Sequence, residues 1–511
     1  MVVTFTLNGA ETSVSDTHPH LLAALREELG VCSPKDGCAP SGQCGCCTVL
    51  VDGSARVACV TPAERIAGRV VTTVDGLDPV ERDAMAASFV ATGGSQCGFC
   101  TPGIVVRAAA LRGKGPVSPV GVDRALAAHL CRCTGWQTIG EAWDALGAAV
   151  PSRDLAAAGQ RASIEGRVPQ RVGPTVPLGR VGFADDTAPE NALVAVPDGR
   201  GGWATAETLT QARRLAGTVQ GRRSTVGAVP PLEVAPGSWD LTLRTSWVEP
   251  AYLETDAAWC LPGGEPVSPV ANGGAFGGKA DSPVRAAARE LADRHGRPVR
   301  VILSREDTVR DGPKRPPVAI GARADGSGAV RVVRTAGIRG AIHSTAPGFE
   351  VEELDVQGPP TSSRIRAAGW AEAAIVLAGL QGSPEATVTS PDGAVATASV
   401  GAEGVRIRVR CGPPLDAVVL RSYCIGAAHM ALGWVRQEGL ALGHDGVPVD
   451  LTIRSFGIVR PAAMPPVEVE IEVDGAASAP VNGSDAVFAA VAAADWIRQG
   501  CPPDWPTGSA G

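Results

Sequence analysis

The sequence of 511 residues is mildly acidic, with 46 Lys and Arg against 53 Asp and Glu and a net charge of −7. Hydrophobic residues make up 44% and aromatic residues 4%, which supports large apolar cores but neither the basic surface nor the stacking platforms of a nucleic-acid-binding protein. At about 100 to 200 residues per domain, this length predicts three or four domains rather than one.

The first 76 residues are predicted to form a small β-rich domain with one helix. Alternating residues favour a strand over Val2–Leu7, and the following Asn8 and Gly9 supply the positive φ angles of a tight hairpin turn. An amphipathic helix is expected over 20–29. A loop dense in Gly and Cys follows, and after it two strands, the second of them over 54–60.

Helical periodicity dominates residues 77–150, where Ala-rich faces are separated by Gly or Pro. Residues 151–177 mix Ser, Arg, Gly and Pro without a period and are expected to form a linker. Beyond it, strand-like and helical runs alternate through residues 178–245 and 246–511. The fold class expected for the whole chain is therefore α+β.

Cysteine is concentrated early in the chain, since ten of the 14 lie between Cys32 and Cys133. The first residues lack the basic and apolar regions of a signal peptide, and no run of 18 or more apolar residues predicts a membrane span. We therefore expect a cytoplasmic protein without a membrane partner. In a reducing compartment, clustered cysteines indicate metal binding or redox chemistry rather than structural disulfides.

The first cysteine group consists of Cys38, Cys44, Cys47 and Cys59, with five, two and eleven intervening residues. Glycines in this loop let the backbone wrap around an inorganic core, where N–H groups can bond to sulfide. Four cysteines on one loop and its following strand are typical of a 2Fe-2S site of the plant ferredoxin type.

The second cysteine group consists of Cys97, Cys100, Cys131 and Cys133, in the motifs QCGFCTPG and CRCTG, with 30 residues between Cys100 and Cys131. Two close pairs at helix ends can present four thiolates to two irons. A structural zinc site would also accept four cysteines, but a pair separated by a single residue is unusual for zinc. Reduced structural cysteines in an apolar core are the alternative for both groups.

Residues 1–150 resemble the iron–sulfur subunit of the xanthine dehydrogenase, aldehyde oxidase and carbon monoxide dehydrogenase family of molybdenum hydroxylases. The resemblance is carried by DGCAPSGQCGCCTV with Cys59, and by QCGFCTPG and CRCTG. It implies a β-grasp 2Fe-2S ferredoxin domain over 1–76 and a four-helix 2Fe-2S domain over 77–150, whose clusters the first and second cysteine groups ligate.

One departure concerns the ligand set of the first group. The family usually has four residues between its first two cysteines and a small residue where Cys46 stands. The choice of Cys47 as ligand rests on its C-x-x-C spacing from Cys44. Cys46 and Cys32 are expected not to be ligands.

The rest of the chain resembles, in patches, the catalytic molybdenum subunit of the same family. NGGAFGGK at 272–279 is similar to its GGGFGGK motif, and RIRAAGWAE at 364–372 to its R-G-x-G segment. Residues 178–245 are similar to its hammerhead domain, and 246–511 to a shortened α+β molybdopterin domain. Any molybdopterin bound by this chain is expected to contact Gly274, Phe276, Gly277 and Arg366. A tight turn packed under a helix would use the same glycines.

Three departures from the family argue against cofactor binding by this region. Only 13 residues separate Trp259 from Gly273, where the family has a long segment with a cofactor-contacting glutamine. The Gln- and Gly-rich motif that holds the pterin is not visible between residues 372 and 421. Ser478 aligns with the general-base glutamate, and a serine is too weakly acidic for that role. Asp485 is an acid candidate more simply interpreted as a helix cap, and Lys279 as a solvated turn residue.

We therefore expect an oxidoreductase component that relays electrons and has no catalytic residue of its own. The resemblance implies that two 2Fe-2S clusters pass electrons from a molybdenum-binding subunit to an FAD-binding subunit, with molybdopterin and FAD held by those partners. One alternative is a self-contained molybdopterin hydroxylase of heterocycles or aldehydes. Another makes the C-terminal half an assembly module that docks the true molybdenum subunit.

Overall fold

A computed structural model describes residues 2–113, 115, 117–149, 151–217, 221, 226–267, 274–473 and 479–508. Two residues used in the sequence comparison, Gly273 and Ser478, lie outside these ranges. Within them, four mixed or antiparallel β-sheets are interleaved with helices, which confirms the α+β class.

The first sheet contains the expected N-terminal hairpin. Its five strands have the order β2-β1-β5-β3-β4, with β1 and β2 antiparallel and β1 parallel to β5. The strands are β1 (Val2–Leu7), β2 (Ala10–Ser15), β3 (Thr48–Val51), β4 (Ser54–Val57) and β5 (Val70–Thr72).

Two local expectations for this domain need correction. The segment 20–29 forms only one α-helical turn, α1 (Leu21–Ala23), and then widens into a π-helix over Ala24–Glu28. The strand expected over 54–60 stops at Val57, because a 3-10 turn over Ala58–Val60 turns the chain and buries the Cys59 side chain.

Four helices occupy the described part of 77–149, as the periodicity predicts. They are α2 (Pro79–Thr92), α3 (Thr101–Arg112), α4 (Pro119–Leu126) and α5 (Gln137–Asp144). Asp78 caps α2 by accepting from the Glu81 N–H at 3.0 Å. α3 begins directly after Cys100, and α5 begins four residues after Cys133. Each pair of the second cysteine group therefore lies just before a helix.

The expected linker over 151–177 is wrong in part, because it contains helix α6 (Leu155–Gly166), capped by Asp154. Its buried stripe has the helical spacing of positions 158, 161, 162 and 165. Two of those four residues are charged, Arg161 and Glu165, and they pair with each other inside the protein. Because of this charged pair, the helical period is not visible in the pattern of hydrophobic residues.

Three further sheets and eight helices make up the described C-terminal region. Their orders are β7-β6-β10-β9, β13-β12-β11-β8-β18 and β14-β15-β16-β17. The strands are β6 (Leu193–Pro197), β7 (Trp203–Ala206), β8 (Leu241–Thr245), β9 (Ala257–Cys260), β10 (Val299–Ile302), β11 (Val318–Ala322), β12 (Gly328–Val333), β13 (Phe349–Leu354), β14 (Ala386–Thr389), β15 (Val395–Gly401), β16 (Gly404–Arg410), β17 (Val467–Glu472) and β18 (Asp504–Trp505). The helices are α7 (Ala184–Thr187), α8 (Leu209–Ala216), α9 (Val284–His295), α10 (Arg305–Asp311), α11 (Ile338–His343), α12 (Trp370–Gln381), α13 (Ala417–Arg436) and α14 (Ser484–Arg498).

The core of this region is built on α13 and α14, which pack against each other. Trp434 of α13 stacks on Phe488 of α14 with ring centroids 5.1 Å apart. In the described part of the chain, α13 is the one helix long and apolar enough to cross a membrane, and 89% of its most apolar window is buried in this fold.

Candidate functional site

The thiols of the first cysteine group lie together in the protein interior. Cys38, Cys44, Cys47 and Cys59 are each at most 3% exposed. The Cys38 thiol contacts those of Cys44 and Cys59, and the Cys59 thiol also contacts that of Cys47. The structure therefore brings the four sequence-predicted side chains into one contiguous set.

Backbone N–H groups point at these sulfurs. Ser41 and Gln43 donate to Cys38 Sγ at 3.3 and 3.5 Å, and Cys59 donates to Cys47 Sγ at 3.4 Å. Contact with the Cys44 and Cys59 thiols, helped by the N–H donors, holds the pKa of Cys38 well below its ordinary value. The N–H donors thus favour the negatively charged form of the Cys38 sulfur, which is the form that binds iron, whereas contact with Cys38 raises the pKa of Cys44 and of Cys59.

Cys46 is a buried neighbour of the first cysteine group. Its thiol contacts that of Cys44, and its charge interactions reach Cys38 and Cys47 as well as Cys131 of the second cysteine group. Cys47, in contrast, contacts Cys59 and receives the Cys59 N–H bond. This placement agrees with Cys47, and not Cys46, completing the first group.

Replacing Cys46 by alanine is accordingly expected to leave the first cluster in place, whereas Cys47→Ala should remove or severely weaken it. The physical reason is that the Cys47 thiol contacts that of Cys59, another member of the group, whereas the Cys46 thiol contacts only Cys44 of this group. Visible absorption and electron paramagnetic resonance of the two purified variants, beside the unchanged chain, measure cluster content. Loss of the first cluster in Cys46→Ala together with its retention in Cys47→Ala would show that Cys46 is the ligand.

The second cysteine group divides into two thiol pairs. Cys97 and Cys133 have their Sγ atoms 3.5 Å apart, and Cys100 contacts Cys131. Contact with Cys100, supported by the Thr134 hydroxyl 3.1 Å away, lowers the pKa of Cys131 to about 6. In the described ranges no three His, Cys, Asp or Glu side chains converge on the position of a single metal ion. Two pairs fit a two-iron cluster, with one pair for each iron, better than a tetrahedral zinc site.

The two cysteine groups are in direct contact through the backbone. The Leu130 N–H donates to the Cys44 carbonyl oxygen at 2.9 Å, and Leu130 is bonded covalently to Cys131. A Cβ added at Gly37 would lie 3.2 Å from both the Cys44 Sγ and the Phe99 ring, so Phe99, which lies between Cys97 and Cys100 in the sequence, packs near the first group. One hydrogen bond therefore connects Cys44 of the first group to the residue that precedes Cys131 of the second.

Helix α13 and the turn at Gly274 cover the second cysteine group. A Cβ added at Gly426 of α13 would lie 1.7 Å from the Cys133 carbonyl oxygen, and one at Gly274 would lie 2.7 Å from the Cys133 Sγ. The Gln96 side-chain amide donates to the Cys133 carbonyl and to the Ser422 hydroxyl, both at 3.0 Å. The C-terminal region thus excludes water from this group.

Arg132 is a neighbour of the second group that the motifs alone did not single out. Its Nη1 and Nη2 donate to the two carboxylate oxygens of Glu438 at 2.6 and 2.8 Å, and its Nε donates to the Pro250 carbonyl at 3.0 Å. The two charged side chains are 3% and 2% exposed. A charged residue between two buried ligands has to be buried and paired, and this is the signal that could have identified it.

The residues expected to hold any molybdopterin are engaged with each other and with neighbouring protein atoms. The Arg366 Nε donates to Asp485 at 2.9 Å and its Nη2 donates to the Ser484 hydroxyl at 2.6 Å. The guanidinium also lies over the Phe276 ring, 4.1 Å from its centroid. At Gly277 an added Cβ would lie 1.9 Å from the Arg364 carbonyl oxygen. The guanidinium of Arg366 is thus already occupied by partners within the protein. This arrangement does not fit a pterin.

Two side-chain expectations in this region are wrong. Asp485 is not a cap, because its carboxylate pairs with Arg366 and Arg167 while the N–H groups that begin α14 bond to Glu165. Lys279 is not a solvated turn residue, because its Nζ pairs with Glu254 at 2.7 Å and its side chain is 13% exposed.

The stability of the protein is expected to fall as pH rises from about 4.5 to 7, because burial raises the pKa of Glu254 to about 7 in spite of Lys279. In this range the folded chain keeps a proton that the unfolded chain releases, so folding becomes less favourable by an amount on the order of 3 kcal/mol. The check is denaturant unfolding of the wild type and Glu254→Gln at pH 5 and pH 7.5. The wild type should lose unfolding free energy relative to Glu254→Gln when the pH rises from 5 to 7.5.

Glu306 supplies an internal control for this experiment. Burial also raises the pKa of Glu306 to about 7, but Glu306 is present in both proteins and cancels from the difference. An equal difference at the two pH values would contradict the assignment of the proton to Glu254.

Comparisons with known proteins identify a 2Fe-2S binding domain in this part of the chain. Residues 73–144 match the 2Fe-2S binding domain family. The small FeS subunit of nicotinate dehydrogenase from Eubacterium barkeri is 34% identical over 27% of this chain and 88% of its own length. The xanthine dehydrogenase iron-sulfur-binding subunit of Escherichia coli O157:H7 is 36% identical over 26% of this chain and 86% of its own length.

The similarity in fold extends further than the similarity in sequence. The solved structure of the aldehyde oxidoreductase from Desulfovibrio gigas superposes with a TM-score of 0.72, at 14% identity, over 97% of this chain and 97% of that chain. At this identity the likeness concerns the fold alone. The curated relatives just named therefore cover about a quarter of the chain, and the structural neighbour covers nearly all of it.

Proposed function

Because this chain belongs to the xanthine dehydrogenase and aldehyde oxidoreductase family of molybdenum hydroxylases, we propose that it is an electron-relaying iron–sulfur component with two 2Fe-2S clusters. The first cysteine group would hold one cluster and the second cysteine group the other. Each cluster, when bound, would carry one electron at a time. The chain's own contribution is to hold the two centres close together and away from water.

The observation that carries the proposal is the hydrogen bond from Leu130 to the Cys44 carbonyl. It joins the two cysteine groups by a short path of covalent bonds and a single hydrogen bond of 2.9 Å. Burial of all eight thiols, none more than 5% exposed, favours small reorganisation by solvent when an electron moves. Two buried centres in backbone contact are suited to pass electrons from one to the other.

We further propose that this chain works with a molybdenum-binding subunit and an FAD-binding subunit. Two of the similar proteins are themselves named as subunits, which supports an assembly of several chains. The internal pairing of Arg366 with Asp485 argues that the molybdopterin belongs to a partner rather than to this chain. In this proposal, the C-terminal region shields the second cluster and has no catalytic residue.

The experiment that tests the proposal is metal and sulfide analysis of the full chain, purified after expression without partners. Two irons in each of two clusters give four irons per chain, and dithionite reduction should produce two distinct paramagnetic species. Molybdenum should be far below stoichiometric. Stoichiometric molybdenum with hydroxylation of an aldehyde or heterocycle would overturn the division of labour and support the self-contained hydroxylase. Absence of iron from a folded chain would overturn the relay itself.

A further inference from the structure

Arg132 stands between two cysteines of the second group in the sequence, and Glu438 of the C-terminal region neutralises its positive charge. The pair is bidentate and nearly without water contact, with 3% and 2% exposure. Arg132 is also held by the Pro250 carbonyl, so three distant parts of the sequence meet at its guanidinium. Such a charge pair interacts strongly with its surroundings because little solvent screens it.

We propose that the Arg132–Glu438 pair sets the reduction potential of the second cluster, with Glu438 acting as a positioning residue through Arg132. This inference rests on the proposed function, because it requires a cluster held by Cys97, Cys100, Cys131 and Cys133. It gives the C-terminal region a part in electron transfer that does not depend on any cofactor of its own.

The direction of the effect follows from the charges. Reduction adds one negative charge to a cluster, so a nearby positive charge favours the reduced form and raises the potential. Glu438 opposes Arg132 and thereby lowers the potential. Charge, hydrogen bonds and solvent exposure around the sulfurs are the properties by which a protein tunes such a centre.

The decisive variant is Glu438→Gln, which keeps the shape and an acceptor oxygen but removes the negative charge. Potentiometric titration of the full, cluster-loaded chain, followed by electron paramagnetic resonance, gives the midpoint potential of each cluster separately. The reduced-to-oxidised ratio of the second cluster at a fixed potential should rise on the order of tenfold, which is ~59 mV for one electron. The midpoint of the first cluster in the same sample should not move.

The matched control is Glu141→Gln. Glu141 also forms a bidentate pair with an arginine across the same two parts of the molecule, accepting from Arg421 at 2.6 and 2.8 Å. Its side chain is 34% exposed and that of Arg421 is 33% exposed, so water screens this pair. The control should leave both midpoints unchanged. An equal shift in the control would show that any loss of charge between the two regions has this effect, and would overturn the inference.

The reciprocal variant Arg132→Gln keeps the inference testable if Glu438→Gln fails to load the second cluster, since a buried arginine without its partner is strongly destabilising. It removes the positive charge and leaves that of Glu438, so the reduced-to-oxidised ratio of the second cluster at a fixed potential should fall on the order of tenfold. An unshifted second midpoint in either single variant, once that variant is loaded, overturns the inference.

The outcome separates this inference from the proposed function. Two paramagnetic signals with unmoved midpoints in Glu438→Gln would leave the relay standing and defeat only the role of the pair. A wild-type chain that shows no second signal at all would defeat both, and it would be recognised before any variant is measured.

Discussion

The variant Cys133→Ser is expected to lose one of two electron paramagnetic resonance signals completely and to keep the other at full intensity. Cys133 pairs with Cys97 at 3.5 Å, and a serine oxygen is a poor substitute for a thiolate on iron. The first cysteine group contacts the second through backbone and packing contacts, so the loss of the Cys133 thiol leaves the thiol contacts within the first group unchanged. Iron content should fall by half.

Cys424→Ser is the matched control for this prediction. Cys424 is completely buried, as Cys133 nearly is, but it lies within α13 and outside both cysteine groups. It should therefore retain both signals. Loss of both signals in Cys133→Ser, with circular dichroism unchanged, would contradict two separate sites.

The variant Gly426→Ala is expected to be destabilised by about 3 kcal/mol or more and to lose the second cluster. The added methyl group would lie 1.7 Å from the Cys133 carbonyl oxygen, which belongs to backbone and cannot rotate away as a side chain could. Overpacking of this kind typically costs about 1 to 3 kcal/mol even where side chains can adjust. Thermal unfolding and cluster absorption measure the two effects.

Gly140→Ala provides the matched control for this prediction. Gly140 lies in α5, and nothing would come within 4 Å of an added Cβ there. Because alanine favours a helix, this variant should be more stable than the wild type by roughly 0.4 to 1 kcal/mol and keep both signals. If Gly426→Ala were as stable and as fully loaded as Gly140→Ala, the close approach of α13 to the second group would be wrong.

Local patterns allow much of residues 1–150 to be predicted. The hairpin around Asn8 and the helices after Pro79 follow from turn chemistry and periodicity, which are properties of a few neighbouring residues. The eight proposed ligands can be named because cysteine in a short motif carries its own chemistry. Their convergence in the structure agrees with this, and their role as ligands stays a prediction.

The parts that local patterns do not predict depend on partners far away in the sequence. The short strand β18 pairs with β8, and nothing in the residues 504 and 505 themselves indicates such a partner. Helix α6 lies in a segment predicted to be a linker, because its buried stripe contains a charged pair. The predictions for Asp485 and Lys279 are wrong for the same reason, since a charged side chain gives no sign of the opposite charge that buries it.

The carboxylate of Glu165 makes a contact that can form only after nearly the whole chain has been synthesised. It accepts from the N–H groups of Gly483 and Ser484 at 3.0 and 2.8 Å, across 318 and 319 residues. At a ribosomal rate of about 5 to 20 residues per second, roughly 16 to 64 s pass between synthesis of the two sides of this contact. All eight proposed ligands have left the ribosome well before α14 exists. The second cysteine group is therefore synthesised well before α13, the helix that covers it in the finished protein.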